Sequence, residues 1–458
     1  MRTRSIAVSL ILLLGGCESN RCEPNASNQE FSLATFCCDA TPPIGHPCCG
    51  GWIKPTEVVD DPLFAKGIVL SDGRTRYVIC ALDWCRLHGA CHDMFCEKIA
   101  QATNVPVSQV TVHCVHQHNA PLSDINAQLL LDKYHGPANL NLKFFDEVAD
   151  RVAASVRHVC ALMHPVTHIG FGKAKVEQFA SNRRVKLPDG RILVRYSAMK
   201  AAAAREAPEG VIDPWLRSIT FYDRDAPLVR LHYYASHPMS YYGDGRVTSD
   251  TAGLARARLE REENIPQIYF NGCAGDITAG KYNTGTPADR VALTDRLYAG
   301  MKGAIACTRR VPLTEMRWTT AGVVFTPRTE PEFEAAKLQK TLEDSKALAL
   351  PRIKAALFLA WYDRLKTRPS IEVSALRMGP VTLMHLPGEA FIEYQLYAQK
   401  IQPTQFVAVA SYGEGGPGYI CVDSALAEGG YEPSMSLTGV GSEKILKDSI
   451  ARLAGSEN

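Results

Sequence analysis

Short apolar runs rich in β-branched residues recur along the chain, at residues 77–82, 110–115, 228–235, 267–270, 381–386 and 406–410. Runs of that length suit buried strands and are too short for core helices. Helical stretches separate them at 144–163, 251–263 and 287–306. A charged stretch at 330–367 reads as two helices joined by a turn at Pro351, either with an ordinary solvated face or as a hairpin covering a site. This alternation specifies an α/β fold, with mixed β-sheets flanked by helices in a single large domain. With 458 residues and 46% hydrophobic composition, the chain can bury a core of that size.

Five of the apolar segments end directly in residues able to do chemistry. They lead into His116 and His118, into His237, into the 271–278 loop, into Glu389 and into the 413–419 loop. Reactive groups at strand ends are how an α/β scaffold builds a site. If the strand at 110–115 persists to His118, alternation puts the imidazoles of His116 and His118 on one face, and His113 on the other as a structural residue. His237 closes the run ending Tyr234-Ala235-Ser236, and Pro387-Gly388 turns the chain sharply ahead of Glu389. Two histidines and a glutamate form a set used by catalytic zinc, which keeps a position free for water.

The N-terminus bears on location. Arg2 and Arg4 precede an apolar stretch from Ile6 that ends in Leu14-Gly15-Gly16-Cys17. That stretch is too short to span a bilayer, and small residues before a cysteine suit cleavage and lipidation there. Residues 1–16 are therefore expected to be a lipoprotein signal peptide, with an ordinary secretory signal cut nearby as the alternative; either way the protein is expected to be exported to a bacterial cell envelope. Polar residues 17–35 are expected to be a tether from the membrane surface, held by lipid on Cys17, with the domain spanning 36–458. Export permits disulfides among the other 14 of the 15 cysteines, without fixing their pairing. The doublets Cys37-Cys38 and Cys48-Cys49 lack C-x-x-C spacing, which argues against a cysteine-rich metal site. Cys80, Cys114, Cys273 and Cys421 lie in or beside apolar runs and read as core thiols.

Other classes are excluded. Lys+Arg 50 against Asp+Glu 48, with no basic run, offers nucleic acid no electrostatic match. The segment from Gly275 to Tyr282 misses the P-loop pattern at its last position. The G-x-G-x-x-G at 413–418 contains Pro417 and opens no helix, so no nucleotide is expected. Neither G-x-S-x-G nor H-E-x-x-H occurs, which argues against a serine hydrolase and the common zinc proteases.

Taken in order, these segments resemble the neutral/alkaline non-lysosomal ceramidase family. The resemblance runs from Asp39-Ala-Thr-Pro-Pro-Ile-Gly45 through Val115-His-Gln-His-Asn-Ala-Pro121, Asn182-Arg183, Ala235-Ser-His-Pro238 and Asn271-Gly-Cys-Ala-Gly-Asp276. It continues through Leu386-Pro-Gly-Glu389 and Gly418-Tyr-Ile420 to Tyr431-Glu432. It implies a zinc-dependent amidohydrolase acting on ceramide or a related lipid amide, with Zn2+ as the cofactor. It implies metal ligands at His116, His237, Glu389 and Tyr419, the last being the family's unusual phenol. His118 resembles the proton-transfer partner, and Arg183 and Tyr431 the groups that contact the scissile amide. Thr278 stands where some members carry a serine near the metal. The family's C-terminal β-sandwich is expected to be missing, since the sequence stops soon after Tyr431-Glu432. Two further readings are a zinc hydrolase of the same fold acting on another amide or ester, and a non-catalytic surface lipoprotein.

Overall fold

The computed structural model describes residues 30–455. The expected signal peptide, Cys17 and most of the tether lie outside the described residues. In chain order the principal strands are β1 (Ser32–Asp39), β2 (Phe64–Ser71), β3 (Arg76–Leu82), β4 (Val110–Cys114), β5 (His164–Pro165), β6 (His168–Lys175) and β7 (Trp215–Asp223). They continue as β8 (Ala226–Tyr234), β9 (Gln267–Asn271), β10 (Arg309–Pro312), β11 (Arg317–Val323), β12 (Ile371–Met378), β13 (Val381–Pro387) and β14 (Phe406–Gly413). One mixed sheet has the order β11-β12-β13-β14-β4-β3-β2-β1-β5, and a second the order β9-β8-β7-β6-β10. The expected α/β architecture of mixed sheets with flanking helices is present.

The sheets pack on each other through β8 and β9 against β14, β4 and β3. Helices Gly89–Thr103 and Leu142–Val159 pack on the larger sheet, and Asp250–Glu263 and Pro287–Ala306 on the smaller. Leu142–Val159 shows why such segments become helices. Asn141 caps the first turn by accepting from the Phe144 amide. Phe144, Phe145, Val148, Ala149, Val152 and Val156 then bury one stripe at helical spacing. Pro287–Ala306 starts on a capping box between Thr286 and Asp289.

Three expectations change. β1 begins at Ser32, and Phe31 and Leu33 are buried in the core, so residues 31–35, expected in the tether, belong to the folded domain. Those apolar side chains gain more from a sheet than from solvent. The division in the 330–367 stretch falls at residues 344–348, between helices Ala335–Glu343 and Ala349–Thr367. Pro351 sits in the first turn of the second helix, where its missing N–H costs nothing. That helix is not a solvated element, because Ile353, Ala356, Phe358 and Trp361 are buried. The described cysteines are all free thiols, and Cys80, Cys114, Cys273 and Cys421 are buried as read from the sequence.

A buried ion pair fastens the layers beyond β3. Arg256 donates from Nη1 and Nη2 to the two Asp83 carboxylate oxygens at 2.9 and 2.7 Å, and the Phe64 amide adds a third bond at 2.9 Å. Removing one partner strands a buried charge, so Asp83→Ala should destabilise the fold by about 3–5 kcal/mol in urea unfolding.

β14 joins β4 through the pair Gly413–His113, which links the two halves of the large sheet where their C-terminal ends meet. A Cβ at Gly413 would lie 2.4 Å from the His113 ring, so this junction requires glycine. His113 is structural as read: it is fully buried between Thr111 Oγ1 and the Ser411 carbonyl, each at 2.8 Å. Beside it Glu414 accepts from Thr111. Burial pushes the Glu414 carboxyl up to about 8 from 4.5. Between those values the folded state holds a proton that the unfolded chain has released, so stability falls as pH rises through the window. The slope is at most about 1.4 kcal/mol per pH unit. Glu414→Gln should flatten that dependence in denaturation curves taken from pH 4.5 to 8.

Candidate metal centre and active-site cavity

Five loops leave the C-terminal ends of β4, β8, β9, β13 and β14 and meet at one place. Strand β4 stops at Cys114, so the strand continuation expected through His118 does not occur. Instead His116 takes a left-handed conformation, φ 79, fixed by its amide bonding the Trp84 carbonyl at 3.0 Å. A non-glycine residue held there is strained, and such strain collects at functional sites. The turn still brings the His116 and His118 rings to 4.7 Å.

After β8, the His237 amide bonds the Ile277 carbonyl at 3.0 Å. Asn271 at the end of β9 ties the two histidine loops together. It accepts from the Ser236 amide at 3.3 Å and donates to the Val115 carbonyl at 3.4 Å. Glu389 and Tyr419 are register partners in a short parallel pairing of Glu389–Ala390 with Tyr419–Ile420. Gly388 makes that approach possible: at φ 54, a Cβ there would lie 2.6 Å from the Gly418 carbonyl oxygen. Asn182 and Asp276 join the remaining segments, since Asp276 accepts from Asn182 Nδ2 at 2.7 Å and from the Ile392 amide at 2.9 Å.

The histidines are wired alike. His116 Nδ1 faces the Cys85 carbonyl at 2.7 Å, and His237 Nδ1 the Ile277 carbonyl at 2.9 Å. A carbonyl only accepts, so each Nδ1 carries the proton and each Nε2 presents a lone pair. Both Nε2 atoms lie 3.3 Å from Glu389 Oε2. His116 Nε2 and Glu389 Oε2 are buried without a hydrogen bond, although each must lose hydration to be there. Burial first, then neighbouring imidazoles and arginines, holds His116 and His237 well below the ordinary histidine range. Neutral imidazoles aimed at a buried carboxylate fit a divalent cation as the missing partner. Nitrogens of His116, His118 and His237 also lie within 4.8 Å of one another.

Tyr419 completes the group. Its ring stacks near His237 with centroids 6.5 Å apart, and its hydroxyl accepts from Arg183 Nη1 at 3.0 Å. Burial raises the phenol and Arg183 pulls against it. Arg183 also approaches His237 Nε2 at 3.4 Å, pairs through Nε with Glu432 Oε1 at 3.2 Å, and lies 5.0 Å from the Tyr431 ring. Thus all seven residues singled out in the sequence are brought together.

Thr278 is not in the wall of the site. Its hydroxyl donates to Ser197 Oγ at 2.7 Å, and Ser197 lines the cavity in its place. Sequence reasoning missed Arg86, whose guanidinium pairs with Glu389 Oε1, opposite the oxygen shared by the imidazoles. It also missed Tyr412, stacked on His116 at 4.3 Å, and the carboxylate role of Glu432, fully buried between Arg183 and Arg184. A glutamate adjoining Tyr431 was the only available signal.

The site opens on a cavity of about 550 Å³, walled by Trp52, Met239, Tyr242, Leu357, Tyr431 and Met435. His116, His118, Arg183, Glu389 and Tyr419 form its polar end. Leu357 comes from the second helix of the 330–367 stretch, which therefore does border the site.

No family model and no curated sequence matches the chain. Similarity to solved structures is nonetheless extensive. A ceramidase complexed with C2 aligns at TM-score 0.69 and 14% identity, over 93% of this chain and 75% of that one. The neutral ceramidase from Pseudomonas aeruginosa aligns at TM-score 0.68 and 16% identity with the same coverage. The comparison agrees at the level of architecture: this chain has the fold of the neutral ceramidases.

Proposed function

We propose that the chain is a zinc-dependent amidohydrolase that cleaves the N-acyl bond of ceramide or a related lipid amide. The observation that carries the reading is the unpartnered lone-pair set, His116 Nε2 and Glu389 Oε2 with His237 beside them, at the polar end of an otherwise apolar cavity. His116, His237, Glu389 and Tyr419 would hold the ion. Zinc at such a site supplies Lewis acidity and water acidified to near neutral pH.

The chain's own groups account for the remaining steps. His118 Nδ1 bonds the His116 carbonyl at 3.2 Å, leaving Nε2 free to take a proton from the attacking water. Burial, with Arg183 and Arg86, holds this imidazole below the ordinary histidine range, so it enters the reaction neutral, with the lone pair that proton transfer needs. Arg183 stays charged against burial because Tyr419, Glu432 and Tyr431 surround it. With Tyr431 it can donate to the oxyanion. Arg183→Met should lower kcat by about 10²–10³, roughly 2.7–4 kcal/mol in the barrier, while metal content is kept. The apolar walls would take the acyl and sphingoid chains, and lipid on Cys17 would hold the enzyme at the surface that contains them.

Zinc content and hydrolysis of a fluorogenic N-acyl sphingosine, measured with and without chelator, test the reading. One zinc per chain and chelator-sensitive release are expected. A chain without zinc, or a loaded chain that hydrolyses N-acyl amino acids but no N-acyl sphingosine, would overturn it in metal or in substrate respectively.

A further inference from the structure

Beside the four-residue set lies a second group of donors. Cys49 Sγ and Cys85 Sγ are 3.8 Å apart, both buried and both in the cavity wall. Two thiolates bound tetrahedrally to one zinc at about 2.3 Å are separated by roughly 3.8 Å, so the spacing is that of an edge of a metal site. A nitrogen of His118 lies within 4.8 Å of both sulfurs. With Nδ1 committed to the His116 carbonyl, the donor His118 can offer is Nε2.

The backbone holds the pair in place. The Cys49 amide bonds the Ala120 carbonyl and the Cys85 amide the Pro121 carbonyl, each at 2.7 Å, so both cysteines are clamped to the loop that carries His116 and His118. Cys49 has φ 46, a left-handed conformation that a cysteine adopts only under constraint. Arg86, next in sequence to Cys85, supplies positive charge beside the sulfurs. The two thiols are distant in sequence and carry no C-x-x-C signature, so only the fold reveals the group.

We infer that Cys49, Cys85 and His118 form a second site for a soft divalent cation such as Cd2+ that inhibits when filled. Thiolates select such ions, and binding releases the two thiol protons to solvent as the sulfur–metal bonds form. The same event occupies His118 Nε2, the lone pair needed for proton transfer. The inhibitory part rests on the reading of His118 given above, whereas the binding part does not.

Titration of the full chain with Cd2+ tests the inference, followed by ion stoichiometry and by the ultraviolet charge-transfer band of cadmium thiolate. Two ions per chain and the band are expected, with hydrolysis falling by about 10²-fold or more as the second ion binds. Cys49→Ser should bind one ion without the band. His237→Ala should lose the first ion yet keep the band, which separates the two sites. The band together with absent ceramide hydrolysis would sustain this site while ending the proposed activity. Active enzyme that binds a single ion without the band would end the inference and leave the activity standing. A Cys49–Cys85 disulfide found by non-reducing peptide mapping of the chain as isolated would also overturn it.

Discussion

Glu389→Ala is expected to abolish zinc binding, and with it more activity than the about 10²–10³-fold that one oxyanion donor is worth. Glu389 Oε2 is the atom on which both imidazole Nε2 atoms converge at 3.3 Å, and it is fully buried. Without the carboxylate, two neutral imidazoles and a phenol must hold a dication beside the guanidinium of Arg86, with no anionic ligand to offset its charge. Elemental analysis after dialysis gives the ion content directly, and His116→Ala should behave alike. Near-stoichiometric zinc in either variant would mean that the ion is held elsewhere.

His118→Ala should separate from these variants. It removes a group that faces the cavity but lies outside the four-residue set, so zinc at one equivalent is retained while kcat falls by about 10²–10⁴-fold. The pH profile sharpens the test. A free histidine titrates near 6.5, whereas burial, Arg183 and Arg86 hold His118 at about 3. The base form therefore persists as pH falls, and the wild-type rate should show no step near pH 6.5 arising from this group. Full activity in His118→Ala would remove it from the proton-transfer role.

Much of this was readable from the chain because the readable parts are local. Strand lengths at 110–115, 267–270 and 381–386 follow from apolar runs, and helix Pro287–Ala306 from its capping residues and proline. The seven candidate residues that the fold brings together could be named because each closes an apolar run or belongs to a short motif in an ordered series. Arg86 and Tyr412 have no such mark: one follows a strand by four residues, and the other is the penultimate residue of β14. Their importance comes from what lies across the cavity.

The sequence by itself determined the α/β class and the apolar runs that end in polar side chains, since periodicity and motif are properties of neighbours along the chain. Only the tertiary structure decided that His116 leaves its strand at φ 79, that Glu389 pairs in register with Tyr419, that Thr278 yields its place to Ser197, and that Cys49 meets Cys85. Those are contacts between residues far apart in the chain. They are fixed by the packing of two sheets and the loops between them, which no local pattern encodes.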